Sequence, residues 1–216
     1  MSVLADKRVP FAVLVVDVSE DWEEVVKDHE RGYAIDFENF GSGGYKATGL
    51  TSLDIEYPHG SVRAGFNAII DTVRIAYKLK IPTFAVHTTD EWSDGDEVTC
   101  ESLQSYIPKE HQAYKGDFSA FVDPCRFEGE GIAAKIERVR PEHLMILGYD
   151  RDHCVLATVK DAVARGYKVV TSEHCMLTKA DSTRRDETLA YYREHTQHIE
   201  ALSEVWNYLW SHRCLS

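Results

Sequence analysis

The spacing of apolar positions alternates short, unbroken hydrophobic runs with longer stretches of helical period. "FAVLVVD" (11–17), "PTFAVHTT" (82–89) and "HLMILGY" (143–149) are apolar runs of strand length that close on polar or turn residues. That is the pattern of strands buried on both faces. "YKVVTSE" (167–173) is β-branched and follows Gly166, and "QAYK" (112–115) is placed as a strand by its context. Between these runs, residues 61–79 carry apolar side chains at helical spacing, and Pro82 stops them. Residues 130–139 predict a short helix ending before Pro141. Residues 153–165 put Val155, Ala162 and Val163 on one face and end at Gly166, suited to the left-handed position after a helix. The tail from about Arg185 to Trp210 is helix-rich, and Trp206 and Trp210, one turn apart, are expected to pack the last helix against the body. Strands alternating with helices predict an α/β fold, a mostly parallel sheet covered on both faces, in one domain spanning residues 1–216.

One region departs from this rhythm. More than forty residues separate the first strand from the helix beginning near 61, with an insertion at about 23–60. It includes the Gly/Ser-rich "DFENFGSGGYKATGL" and several aromatics. A connection of that length is expected to be functional, as pocket cover or as a subunit contact.

Composition removes several classes. A formal net charge of -12 on 216 residues argues against nucleic acid, which requires a basic face. The longest strongly apolar run, Phe11 to Val16, is too short to span a bilayer, and "MSVLADKRVP" has no secretory core, so no membrane association and a cytoplasmic location are expected. Cysteines at 100, 125, 154, 175 and 214 form no C-x-x-C pair, which favours reduced thiols over a disulfide framework or a structural zinc site.

In parallel sheets, ligands bind outside the carboxyl ends of the strands. Asp17 closes the first strand, Lys115 closes "QAYK", and Cys154 follows the turn after "MILGY". A thiolate is favoured by a helix start, a neighbouring cation and a proton acceptor. Cys154, Lys115 and Asp17 match those three needs and together describe nucleophilic acyl transfer. Taken singly, Cys154 reads as a small core residue, Asp17 as a local cap and Lys115 as a surface charge.

Three segments carry a resemblance to a known family. "LVVDVSEDW", "YKGDFSAF" (114–121) and "GYDRDHCVLATVKDAVARGYKVV" resemble, in order, the strand-ending aspartate, the lysine followed by Ser-x-Phe, and the Gly-x-x-x-Asp-x-Cys-Val segment of the isochorismatase-like, or cysteine hydrolase, superfamily. The resemblance runs from about Phe11 to the last helix. It implies a three-layer α/β/α Rossmann-like fold with a six-stranded, mostly parallel sheet. It also implies the triad Asp17, Lys115 and Cys154, with Asp17 as general base and then acid, Lys115 orienting it, and Cys154 forming a thioester. The family's non-proline cis peptide maps to Tyr149–Asp150, where it would aim backbone amides, including that of Cys154, at an oxyanion. A substrate pocket lined by Trp22, Trp92, Phe121 and His153, a small-molecule substrate, no cofactor, and a homo-oligomer (dimer or tetramer) complete the expectation.

Departures narrow the choice. Ser19 stands where the family commonly has glutamine, and "SEHCML" replaces the usual Asp-Ala pair after the fifth strand. Nicotinamidases carry Asp-x-His and further histidines for a metal, whereas here Asp90 is followed by Trp92 and no histidine occurs before His111. A zinc site requires three or four placed ligands, so no metal is expected. The acids from Asp90 to Glu97 read as a solvated loop. His59, His87 and His174 are pocket candidates whose ordinary reading is surface or packing. The leading expectation is cleavage of a C–N bond in a small amide, ureide or carbamoyl compound. The alternatives are a vinyl-ether hydrolase using the aspartate without the thiol, and a non-catalytic binding module on the same fold.

Overall fold

The computed structural model describes residues 9–18, 22–31, 55–88, 99–122, 130–179 and 182–213. Its centre is β1 (Phe11–Val16), every residue of which is buried. β1 runs parallel to β3 (Thr83–Thr88) on one side and to β5 (His143–Gly148) on the other. β4 (Gln112–Lys115) extends the sheet beyond β3. β6 (Lys168–Thr171) and the two-residue β8 (Gln197–His198) extend it beyond β5, all in parallel, giving the order β4-β3-β1-β5-β6-β8. This is the six-stranded parallel sheet of an α/β fold, and its direction reverses at β1, where successive strands are added on opposite sides.

Alternation along β1 sorts its side chains into two apolar layers. Phe11, Val13 and Val15 face α2 (Val62–Lys78) and α7 (Leu202–Ser211), meeting Ile69, Val73 and Leu209. Ala12, Leu14 and Val16 face α4 (Ile132–Val139), α5 (Leu156–Ala164) and α6 (Arg185–His195), meeting Ile136, Val159 and Tyr192. Ser61 caps α2 by accepting from the Ala64 amide at 3.2 Å, which fixes the helix one residue inside the start that its period predicts.

The register brings the functional ends together. Val16 pairs with both Val86 and Gly148, and Thr88 pairs with Lys115, so Asp17, Thr88, Lys115 and the turn after Gly148 share one sheet edge. Gly148 is required there. Its φ is 127°, and a Cβ would stand 2.1 Å from the Val16 carbonyl oxygen.

Several elements differ from the periodicity reading. The region read as a long connection contains a helix, α1 (Trp22–Arg31), and a short strand, β2 (Ile55–Glu56). β2 pairs antiparallel with β7 (Thr178–Lys179) in a separate ribbon. Residues 32–54 of the insertion lie outside the described residues. The tail is two helices separated by β8. Trp206 packs toward Thr72, its Nε1 donating to Oγ1 at 3.4 Å, but Trp210 is 54% exposed and does not join the core.

Candidate active site

Asp17 ends β1 in a left-handed conformation (φ 51°) that turns the chain sharply out of the sheet. Its amide donates to the Val86 carbonyl at 2.9 Å, and its own carbonyl accepts from Trp22 Nε1 at 2.8 Å. The side chain is thereby held over the sheet edge, where Oδ1 accepts from both the amide and the hydroxyl of Thr88, each at 2.9 Å. Oδ2 lies 3.0 Å from Lys115 Nζ.

Lys115 is only 1% exposed, which demands a counter-charge. Its ammonium donates to the Asp117 carbonyl at 3.0 Å and to Cys154 Sγ at 3.5 Å, besides pairing with Asp17. Burial alone would pull its pKa down; the charges of Asp17 and of the Cys154 sulfur outweigh that and raise it. The lysine is a fixed cation.

Cys154 sits in a single π-helical turn, Arg151–Val155, that leads into α5. Its carbonyl accepts from the Thr158 hydroxyl at 2.7 Å, and its thiol is partly exposed and also hydrogen-bonds Asp17. Burial, and next the charge of Asp17, push the thiol up to about 12 against the opposing pull of Lys115. This reverses the expectation that the helix start and Lys115 would give a resting thiolate. The carboxylate that can receive the proton also disfavours the sulfur anion while it remains charged. Cys100 and Cys175 are likewise pushed to about 12, chiefly by burial, so what sets Cys154 apart is its neighbours.

The turn before Cys154 is held by a buried polar cage. The Tyr149–Asp150 peptide is cis. Arg151, 1% exposed, donates from Nε and Nη2 to the two oxygens of Asp152 at 2.8 and 2.7 Å, and from Nη1 to Glu173 Oε1 at 2.6 Å. Thr178 Oγ1 donates to Asp150 at 3.0 Å and to Asp152 at 3.1 Å, and Ser182 donates to Asp152. Glu173 continues outward to Arg185 at 3.0 Å and His59 at 3.1 Å. Nothing in the periodicity marked Arg151 or Glu173. The only signal was the departure from Asp-Ala at "SEHCML".

The other pocket candidates fall differently. His153 flanks Cys154, with a side chain 40% exposed and Nδ1 2.8 Å from Asp150 Oδ2. Trp22 is buried against Phe66 and Tyr149, so it supports the Asp17 turn. Phe121 stacks on Tyr167 and lies under Arg165, beside the C-terminal end of α5. Phe118, which the sequence reading passed over, is 59% exposed with its ring 6.2 Å from that of His153. Its signal was its place in "KGDFSAF", three residues after the buried lysine. His87 is buried and bonds Thr99 Oγ1 at 2.9 Å, while His59 and His174 stack on each other at 3.9 Å beside Glu173. Asp90, Trp92 and Ser19 lie outside the described residues. Among the described residues, no group of three or more His, Cys, Asp or Glu is arranged to hold a metal ion, and no helix is long and apolar enough to cross a membrane.

Comparison with known proteins bears on the same segments. The isochorismatase domain model matches residues 60–202, a span that contains Lys115 and Cys154. No curated protein sequence matches the chain. Among solved structures, a protein described as an isochorismatase from Burkholderia xenovorans is 16% identical with a TM-score of 0.65, over 97% of this chain and 91% of that one. A cysteine hydrolase from Pseudomonas syringae pv. phaseolicola is 14% identical with a TM-score of 0.62, over 94% and 93%. A nicotinamidase from Staphylococcus aureus is 17% identical with a TM-score of 0.57, over 88% and 99%. At these identities the likeness is one of fold.

Proposed function

The chain belongs to the isochorismatase family, and from that premise we propose that it is a cysteine hydrolase cleaving the C–N bond of a small amide, ureide or carbamoyl compound. The observation that carries this reading is one buried ammonium shared by a carboxylate and a thiol: Lys115 Nζ is 3.0 Å from Asp17 and 3.5 Å from Cys154.

The steps follow from where the proton sits. At rest the thiol holds it and Asp17 is the carboxylate. When a carbonyl carbon approaches Sγ, Asp17 takes the thiol proton, and the sulfur electron pair forms the S–C bond. While the proton moves and before the S–C bond is complete, Lys115 faces the developing thiolate, so the charge that disfavoured ionisation is removed as ionisation occurs. The amides of Arg151, Asp152, His153 and Val155 are each donated elsewhere, to Leu177, to the Asp150 side chain and twice to the Asp150 carbonyl. The amides of Asp150 and Cys154 are then the ones in this turn to hold the oxyanion of the tetrahedral intermediate, as the family resemblance implies. On collapse the C–N bond breaks, and the departing nitrogen takes the proton from Asp17. Water, deprotonated by Asp17, then attacks the thioester, and the acid leaves as the thiol is restored. Base, cation and nucleophile all come from side chains.

Ammonia release over a panel of small amides and ureides, run with wild type and Cys154→Ser, tests the reading. A responsive substrate is expected, with turnover lowered by about 10³-fold or more in the variant. An acyl adduct on Cys154 is expected by mass spectrometry after rapid quench. Undiminished turnover in Cys154→Ser would overturn the thioester route.

A further inference from the structure

Resting on the reading above, we propose that His153 is a specificity-determining residue whose Nε2 accepts a hydrogen bond from a substrate N–H, so that the site favours ureides and carbamoyl compounds over plain alkyl amides.

The inference starts from the tautomer. His153 Nδ1 lies 2.8 Å from Asp150 Oδ2. A carboxylate only accepts, so the contact fixes the hydrogen on Nδ1, and in that tautomer of the imidazole Nε2 is the acceptor. Asp150 is itself fixed: its other oxygen, Oδ1, accepts from the Asp152 amide at 3.1 Å and from Thr178 Oγ1 at 3.0 Å. The imidazole cannot turn its acceptor inward without breaking that contact. The two ring nitrogens diverge, so Nε2 points away from Asp150, and it has no partner among the described residues.

The place of this acceptor is equally specific. His153 directly precedes Cys154 in the π-helical turn, and neighbouring helical side chains diverge, so it addresses the flank of a substrate held at Sγ and not the reacting carbon. Beside it stands Phe118, 59% exposed, in the turn that Lys115 anchors through the Asp117 carbonyl. An oriented acceptor on the residue before the nucleophile, with an exposed aromatic ring beside it, fits a substrate with an N–H in an otherwise apolar or planar body. A ureide or carbamoyl compound carries such an N–H; an alkyl amide has a methylene in its place.

Butylurea and hexanamide differ only by NH in place of CH₂ beside the carbonyl, which makes them suitable probes. Their affinities for Cys154→Ala are to be measured by calorimetry, and again after adding His153→Leu or His153→Gln. His153→Leu is expected to weaken butylurea by about tenfold and leave hexanamide unchanged, while His153→Gln, which retains an acceptor, restores most of the difference. In the catalytically intact chain, the ratio of kcat/KM for the two probes is expected to fall by a similar factor in His153→Leu, with intrinsic reactivity cancelling. Equal weakening of both probes, or no change in butylurea binding, overturns the role of His153. Because the binding measurement needs no turnover, it is read separately from the hydrolytic assignment, which only the turnover measurement can sink.

Discussion

A single proton shared between Sγ of Cys154 and the carboxylate of Asp17 decides what the cysteine can do at rest. Burial and the charge of Asp17 hold the thiol near 12, so at neutral pH the sulfur is protonated and its reactivity toward electrophiles rises with pH into the strongly alkaline range. Asp17 therefore has opposite effects on two measurements. Replacing it with Asn removes the base, and amide hydrolysis is expected to fall by about 10²–10⁴-fold. The same change removes the anion that opposes ionisation and leaves the Lys115 ammonium 3.5 Å from Sγ. The thiol pKa should then drop, and alkylation of Cys154 by iodoacetamide at pH 7.5 should speed up by about tenfold or more. Hydrolysis and alkylation falling together would show that Asp17 already promotes the thiolate at rest. Asp17 and Cys154 end or follow apolar runs whose strand character is plain in the sequence, whereas Lys115 closes "QAYK", which is a strand only by its context. Sequence alone did not disclose the sign of the thiol shift, which depends on how deeply Sγ is buried and how close the carboxylate lies.

At the scale of elements, the turn from Asp150 to Val155 is the part whose construction was least legible. "DRDHC" reads as a polar turn, yet Arg151 and Asp152 are among the most buried charged residues described. What permits this is Glu173, distant in sequence but only 2.6 Å from Arg151, and no period along the chain announces such a pairing. β8 was hidden for a related reason. Gln197 and His198 have no apolar pattern and become a strand only by pairing with Val170 and Thr171. The buried cage has a pH signature. Burial would raise the Asp152 carboxyl, but hydrogen bonds from Arg151 and Ser182 and the charge of Arg151 outweigh it and hold the pKa at about 2, below the ordinary 3.8. Its contribution is therefore fully present above 3.8 and lost as pH falls through about 2. By linkage it is worth about 2 kcal/mol. Asp152→Asn should lower stability in urea titrations at pH 7, and its deficit should shrink as pH is taken from 4 to 2. A deficit that stays constant over that window would mean that the carboxylate charge contributes nothing to the fold.

At the scale of the molecule, one sheet separates two apolar layers that share the same six residues of β1. Because alternate residues of this strand belong to opposite layers, neither layer can come apart without exposing β1, and the strand hydrogen bonds to β3 and β5 tie both layers to the site edge. The described parts of the chain should therefore unfold as one cooperative unit, although α2 and α4 pack into different apolar layers. Ile69 of α2 and Ile136 of α4, each fully buried, probe the two layers. Truncation of either to Ala should cost about 2–5 kcal/mol through lost burial and the cavity left behind. Both should shift the same thermal midpoint, and the double variant should show nearly the sum, since the sheet keeps the two sites from sharing partners. The far-ultraviolet signal and the fluorescence of Trp22 and Trp206, both on the α2 side, should follow one curve in every variant. If Ile136→Ala melts the helical signal ahead of the tryptophan signal, the α4–α5–α6 layer is an independent unit. The alignment of Cys154 with Asp17 would then depend on that layer alone.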